Sequence, residues 1–243
     1  MSHSSVNLDI LVAHRGLQCR YPENTVLALK KAIDYGARFI ELDIQFSNDC
    51  LPVIYHDPDL QRVSGCDGRI LDFSEQELLQ LSAYEPDRLG NLFKSETIAP
   101  LRAFVAILKE NPQVTAFVEL KEESIAHCGR DTMINAVVRI LDTVKDQVVI
   151  ISYDYALVDM ARESHWPTVG VVLKQWQDID LDIVQDISSD FIFIDHEKIP
   201  EKADLNAIEA PLVAYEVGDR ELAQQLVEKG VSMLETFALE QLS

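Results

Sequence analysis

A single (β/α)8 barrel of the TIM type, with an insertion after its second strand, is the fold class that three features predict. Eight short apolar runs alternate with segments of helical period along the 243 residues. Such alternation implies parallel strands joined by crossover helices. Eight such units, in a chain of about 250 residues, suit a closed barrel. Hydrophobic residues make up 47% of the chain, enough for a core of that size. An open doubly wound sheet is the runner-up, weakened by the absence of a G-x-G-x-x-G or G-x-x-x-x-G-K-S/T loop. No repeat, linker or low-complexity segment divides the chain, so residues 1–243 are expected to form one domain.

The first strand is expected at LDILVA (8–13), which runs straight into His14, Arg15 and Gly16. NTVLALKKAIDYG (24–36) places Val26, Leu29, Ala32 and Ile33 on one helical face, with Gly36 as its stop. RFIELDI (38–44) is the second strand. The next apolar run, PVIY (52–55), comes too soon for a crossover helix, so the pair is expected to be a hairpin turning at Asn48-Asp49. Residues 57–99 are irregular, with Ser74-Glu75-Gln76-Glu77 as a capping box for a short helix over 75–82. Residues 45–99 are therefore expected to be a hairpin plus an insertion over the barrel mouth. PLRAFVAILKEN (100–111) opens on proline, a good first helical residue. The remaining strands are expected at 115–120, 147–152, 168–173, 190–195, 211–217 and 231–236. Helices are expected at 131–144, 155–164, 200–209 and 219–229, with a weaker pattern at 178–187.

Forty-one acidic residues against 21 basic ones give a formal charge of −20. Such a surface repels DNA, RNA and anionic membranes, so no nucleic-acid partner and no stable membrane association are expected. No apolar run reaches the roughly 18 residues of a membrane span. The start, MSHSSVNLDIL, lacks the basic and apolar regions of a signal peptide. Cys19, Cys50, Cys66 and Cys128 form no C-x-x-C pair. They are expected to be reduced, unreactive thiols of a cytoplasmic protein. The oligomeric state is left open. Any anionic substrate of so acidic a chain needs a local positive centre.

In a barrel, the C-terminal ends of the strands meet on one face. His14 and Arg15 end the first strand, Glu41 and Asp43 lie on the second, and Glu119 leads to Lys121 on the third. Residues two apart on a strand share a face, which pairs Glu41 with Asp43 and Glu119 with Lys121. The hairpin returns His56 and Asp57 to the same rim. Three carboxylates gathered there repel one another unless a cation binds them. An all-oxygen set suits Mg2+ or Ca2+, and no H-x-H or H-E-x-x-H spacing points to zinc. Arg15 and Lys121 add positive charge, the arginine fork matching phosphate oxygens. Two histidines beside a phosphate suit an acid and a base.

Each signal alone has a blander explanation. A lone Glu-x-Asp or His-Arg-Gly is accounted for by a salt bridge or a turn; their convergence at predicted strand ends favours a site. Asp57 suits a turn or helix cap, with support of His56 as the alternative. Glu23 and Asn24 suit a helix start. Lys174 suits a solvated charge, and Trp176 a cover for the barrel edge. His196 and Glu216 are rim candidates without a specific signal. His3, His127 and His165 suit surface or loop positions.

HRG (14–16), PENT (22–25), ELDIQFSND (41–49), PVIYHD (52–57) and VELK (118–121) together resemble the glycerophosphodiester phosphodiesterase family. The likeness is dense over 11–60 and 98–125 and looser at IISYD (150–154). It implies a (β/α)8 barrel that hydrolyses glycerophosphodiesters to glycerol 3-phosphate and an alcohol, using a divalent cation, Mg2+ or Ca2+. It further implies Glu41, Asp43 and Glu119 as metal ligands, His14 and His56 as catalytic groups, and Arg15 and Lys121 as phosphate contacts. It leaves open which histidine is the base first, and whether the glycerol 2-hydroxyl attacks to give a cyclic phosphate. The C-terminal part departs from the pattern: Tyr215-Glu216-Val217-Gly218 stands where W-T-V-N is expected, and Thr236-Phe237 where T-D is expected. Both departures fall on the substrate side. The alternatives are a lysophospholipase D-like or phospholipase-like enzyme acting on a lipid diester, and a non-catalytic sensor of a phosphate metabolite. The sensor would lack a histidine or a ligand that this chain retains.

Overall fold

The structure, a computed structural model, describes residues 6–243. His3 and the rest of the first five residues lie outside that range. Ten strands are assigned: β1 (Leu11–Ala13), β2 (Phe39–Phe46), β3 (Pro52–Ile54), β4 (Ala99–Pro100), β5 (Thr115–Leu120), β6 (Val148–Ser152), β7 (Val169–Val172), β8 (Phe191–Asp195), β9 (Leu212–Tyr215) and β10 (Met233–Thr236). All but β3 and β4 run parallel, and the barrel closes because β1 pairs with both β10 and β2. The helices are α1 (Val26–Tyr35), α2 (Gln61–Ser64), α3 (Glu75–Leu78), α4 (Pro86–Leu89), α5 (Leu101–Glu110), α6 (Ile125–Cys128), α7 (Arg130–Leu141), α8 (Tyr155–Glu163), α9 (Asp182–Ile187), α10 (Arg220–Lys229) and α11 (Leu239–Leu242). The α1 boundaries follow from sequence: Thr25 Oγ1 accepts from Ala28 N at its start, and Gly36 ends it at φ 109°.

Two apolar layers result from the strand period of two. The larger lies between the strands and the helices. The smaller fills the barrel with Val12, Phe117, Val149, Ile151, Val172, Phe193, Val213 and Met233. Phe117 meets Phe191 and Phe193 edge-on, each at 5.0 Å between ring centres. Two residues beyond several members of this plug, the same inward face carries a polar group. Val12 is followed by His14, Phe117 by Glu119, Ile151 by Tyr153, Val213 by Tyr215 and Met233 by Glu235. The alternation that packs the barrel thus delivers polar side chains to its mouth.

The hairpin forms as expected, β2 pairing antiparallel with β3 in the register Ile44↔Ile54 and Phe46↔Pro52. β4 then pairs with β3. Val53, Tyr55, Leu60, Val63, Ile70, Leu78, Ala83 and Ile98 form a separate small core within this part of the chain. The Ser74–Glu77 capping box is present, though α3 stops at Leu78.

Several expectations are corrected. Leu8–Ile10 is a 3-10 turn, because the Asn7 side chain accepts from Asp9 N and draws the chain out of the strand. The helix expected at 200–209 is absent; within that range the chain forms a single 3-10 turn, Leu205–Ala207. There Asp204 Oδ1 takes up the Asn206 amide, which competes with a helical ladder. Cys50 and Cys128 are not reduced thiols; they form a disulfide between the β2–β3 turn and the end of α6, while Cys19 and Cys66 are free. Across 78 residues of sequence such a link is worth about 4.5 kcal/mol in the chain-entropy account. Among the described residues, no helix is long and apolar enough to cross a membrane.

Candidate active site

The chain leaves β1 through an unusual backbone. Arg15 and Gly16 have φ of 54° and 83°, and a Cβ on Gly16 would stand 2.6 Å from the Ala28 carbonyl carbon. Glycine is therefore required where this turn presses on α1. The turn sets the Arg15 amide 3.0 Å from Glu41 Oε2 and points the guanidinium inward. Arg15 Nη1 donates to Glu23 Oε1 at 3.0 Å, and Nε lies 3.1 Å from Asp43 Oδ2 without the alignment of a hydrogen bond. Asn24, also at positive φ, donates through Nδ2 to Asp43 Oδ2 (2.7 Å) and accepts from Asp43 N (3.0 Å). Glu23 and Asn24, expected only to begin a helix, thus buttress the mouth.

β2 and β5 pair with Asp43 opposite Glu119. One oxygen each of Glu41, Asp43 and Glu119 lie within 4.8 Å of one another. Lys121 Nζ bridges Asp43 Oδ1 (2.8 Å) and Glu119 Oε1 (2.7 Å). His56 enters from β3 and gives Nδ1 to Asp57 Oδ1 at 2.6 Å. The mouth is lined by His14, Arg15, His56, Glu119 and Lys121, with Tyr153, Tyr215, Glu216 and Glu235 opposite. The seven residues picked from sequence are therefore assembled together. Lys174 pairs with Glu122, His165 with the Glu163 carbonyl and His127 with the Asn48 carbonyl, all exposed, and Trp176 packs against the core.

Sequence reasoning passed over Glu235 and Gln18. Glu235 is 5% exposed, and its Oε1 lies 3.3 Å from His14 Nε2. Its signal was its place two residues beyond the inward Met233. Gln18 Nε2 lies 3.0 Å from both the His14 carbonyl and His14 Nδ1. The two C-terminal departures meet at one point, where the Phe237 ring fills the space that a Cβ on Gly218 would take.

Four buried carboxylates, Glu41, Asp43, Glu119 and Glu235, face the two cations Arg15 and Lys121. Burial and then the Asp43 charge push the Glu41 carboxyl well above the usual range; burial and then Glu119 do the same for Glu235. Burial would also raise Asp43, but Lys121 and Arg15 reverse it and hold it well below that range. Burial, then Arg15, lowers His14. Glu41 Oε1 is buried without a hydrogen-bond partner. An orphaned oxygen amid excess negative charge, in an all-oxygen donor set, fits a hard divalent cation.

The metal-free protein should carry the mark of this repulsion. A carboxyl whose folded pKa is raised favours folding at low pH and opposes it as pH rises above its ordinary value. Glu41 and Glu235, outweighing the single lowered His14 that acts in the opposite sense over the same window, should therefore make the metal-free protein melt lower at about pH 8 than at about pH 5. Asp43 is depressed, so its contribution is lost only below about pH 4. Saturating Ca2+ or Mg2+ should abolish the decline toward pH 8. Thermal melts in EDTA that are flat between the two pH values would refute it.

Residues 14–229 match the sequence model of the glycerophosphoryl diester phosphodiesterase family. Over 110 residues the chain is 37% identical to human glycerophosphodiester phosphodiesterase 1, a match covering 45% of this chain and 33% of that protein. The chain thus spans about a third of the length of that relative. A glycerophosphodiester phosphodiesterase of Caldanaerobacter subterraneus subsp. tengcongensis is 28% identical over 167 residues, 68% of this chain and 67% of its own. Among solved structures, a phosphodiesterase of Oleispira antarctica in complex with the product sn-glycerol-3-phosphate superposes with a TM-score of 0.85 at 24% identity. That superposition covers 96% of this chain and 94% of the other. A glycerophosphodiester phosphodiesterase of Thermotoga maritima does so at 0.70 and 21%, covering 96% of each chain.

Proposed function

The chain belongs to the glycerophosphoryl diester phosphodiesterase family, and from that premise we propose that it hydrolyses glycerophosphodiesters to glycerol 3-phosphate and an alcohol. The observation that carries this is the convergence of Glu41, Asp43 and Glu119 with two histidines and two cations in one barrel mouth. Glu41, Asp43 and Glu119 would hold a divalent cation, Mg2+ or Ca2+. When bound, it supplies fixed positive charge against the charge that builds on the phosphate in the transition state. Arg15 and Lys121 bind and orient the phosphate.

The histidines divide the proton work by their partners. The Asp57 carboxylate only accepts, so His56 carries its ring proton on Nδ1 and keeps the Nε2 lone pair as the general base. The His14 carbonyl also only accepts, so the Gln18 atom facing it is an N–H donor, and it donates to His14 Nδ1 as well. His14 then carries its ring proton on Nε2, beside Glu235, and stabilises the departing oxygen by a hydrogen bond from that N–H, the alkoxide taking its proton from solvent water.

Residues 45–99 are a hairpin plus insertion that we assign to the mouth. Their large apolar residues Leu60, Val63, Ile70 and Leu78 are buried among themselves, which favours packing over docking on lipid. The Cys50–Cys128 disulfide runs against the reduced thiols expected of a cytoplasmic protein. The test is hydrolysis of glycerophospho-choline, -ethanolamine, -glycerol, -inositol and -serine with Mg2+, Ca2+ or EDTA. Glu216 and Glu235 disfavour a further anion at the mouth, so neutral or cationic alcohols should be preferred over serine. No turnover of any of the five would overturn the proposed function.

A further inference from the structure

Arg62 stands on α2, outside the barrel, and its guanidinium grips two carboxylates at once. Nη1 and Nη2 donate to Glu23 Oε2 and Oε1, each at 2.7 Å. Nε and Nη2 donate to Asp57 Oδ2 and Oδ1 at 2.7 and 2.8 Å. Each carboxylate in turn holds a residue of the mouth: Asp57 Oδ1 accepts a hydrogen bond from His56 Nδ1, and Glu23 Oε1 accepts one from Arg15 Nη1. Two planar forks fix both carboxylate planes, which a point charge could not do.

The surrounding chain holds this hub in place. Val63 is buried in the small core, and its carbonyl accepts from the amides of Tyr84 and Glu85. The Glu85 carboxylate accepts the Glu23 amide at 2.8 Å and is gripped by Arg88, which also donates to the Gln18 and Tyr21 carbonyls. The loop carrying His14, Arg15 and Glu23 is thus clamped to the segment that carries Arg62. The Arg62 side chain is 44% exposed, so solvent screens its ion pairs and their direct worth to stability is small. What the arrangement supplies is direction.

We propose that Arg62 is a positioning residue that sets the His56 imidazole and the Arg15 guanidinium in register with each other. One arm, through Asp57, orients the group that takes the proton. The other, through Glu23, orients a group that holds the phosphate. The inference rests on the roles proposed above for His56 and Arg15.

The two arms predict different kinetics, measured on a glycerophosphodiester with saturating divalent cation. Asp57→Asn should chiefly lower kcat, and Glu23→Gln should chiefly raise KM. Arg62→Ala should do both, each by about 10–100-fold, the scale of a misplaced catalytic group. Because Arg62 acts through Asp57, Arg62→Ala added to Asp57→Asn should lower kcat by no more than about twofold beyond Asp57→Asn alone. Millimolar guanidinium should restore part of the kcat of Arg62→Ala and leave the parent enzyme unchanged. Arg62→Lys, which keeps the charge but not the forks, should remain impaired in both kcat and KM.

Values of kcat and KM within about twofold of the parent in a folded Arg62→Ala protein would overturn the inference. So would a kcat loss that adds in full to that of Asp57→Asn. If circular dichroism shows Arg62→Ala unfolded, the same cycle with Arg62→Lys decides, and full activity of that variant overturns it. Full activity of His56→Ala would instead overturn the roles on which the inference rests. An inactive His56→Ala beside an unimpaired Arg62→Ala would overturn this inference alone.

Discussion

Replacing His56 or His14 with alanine is expected to lower kcat by roughly 10²–10⁴, the usual worth of acid–base catalysis. The two losses should differ in kind. His56 is oriented by Asp57 and presents a lone pair, so His56→Ala removes the group that takes the proton from the nucleophile. His14 presents Nε2 between Glu235 and Glu41, at 3.9 Å from Glu41 and 3.3 Å from Glu235, so His14→Ala removes the hydrogen bond given to the leaving oxygen. A diester with a highly acidic leaving alcohol, such as a nitrophenol, needs no such hydrogen bond. It should recover most of the loss in His14→Ala and little of it in His56→Ala. Equal recovery in both variants would refute the division of roles between the two histidines, and near-parent kcat in either would make that histidine structural. Metal affinity, read by calorimetry, should change little in both.

Glu41→Gln and Glu119→Gln should each weaken binding of Mg2+ or Ca2+ by at least about tenfold, since each removes a charge from the donor set. The two again differ. Glu41 Oε1 has no other partner in the structure, so Glu41→Gln loses little besides the metal contact. Glu119 is also ion-paired to Lys121, so Glu119→Gln leaves that ammonium held by Asp43 alone and should perturb phosphate binding as well. EDTA should abolish activity and added Mg2+ or Ca2+ should restore it. Full activity of the parent or either variant in EDTA would refute the metal assignment.

The path from sequence to site was short wherever a strand ends. Glu41, Asp43, Glu119 and Lys121 could be grouped without coordinates because a strand alternates its faces, and a barrel gathers one end of every strand. Glu235 obeys the same rule on the strand expected at 231–236, where only the residues that follow it were compared with the family pattern. The hairpin was legible because the gap between its strands is too short for a helix. The helix expected at 200–209 failed because a local contest, Asp204 against the helical ladder, is settled by one hydrogen bond that no periodicity records. The Cys50–Cys128 bridge was missed because spacing rules see only cysteines that are near in sequence, and these are brought together by a turn and a helix end 78 residues apart.

By itself, then, the sequence determined the barrel and which side chains at the ends of β1, β2 and β5 meet at its mouth, since period and spacing depend on covalent geometry and apply to every residue alike. Only the tertiary structure decided which atoms meet there. The proton-bearing nitrogens of His14 and His56 follow from Gln18 and Asp57, and the double grip of Arg62 joins residues from two separate loops. Such contacts depend on angles and tenths of an ångström that are fixed only when the whole chain has packed.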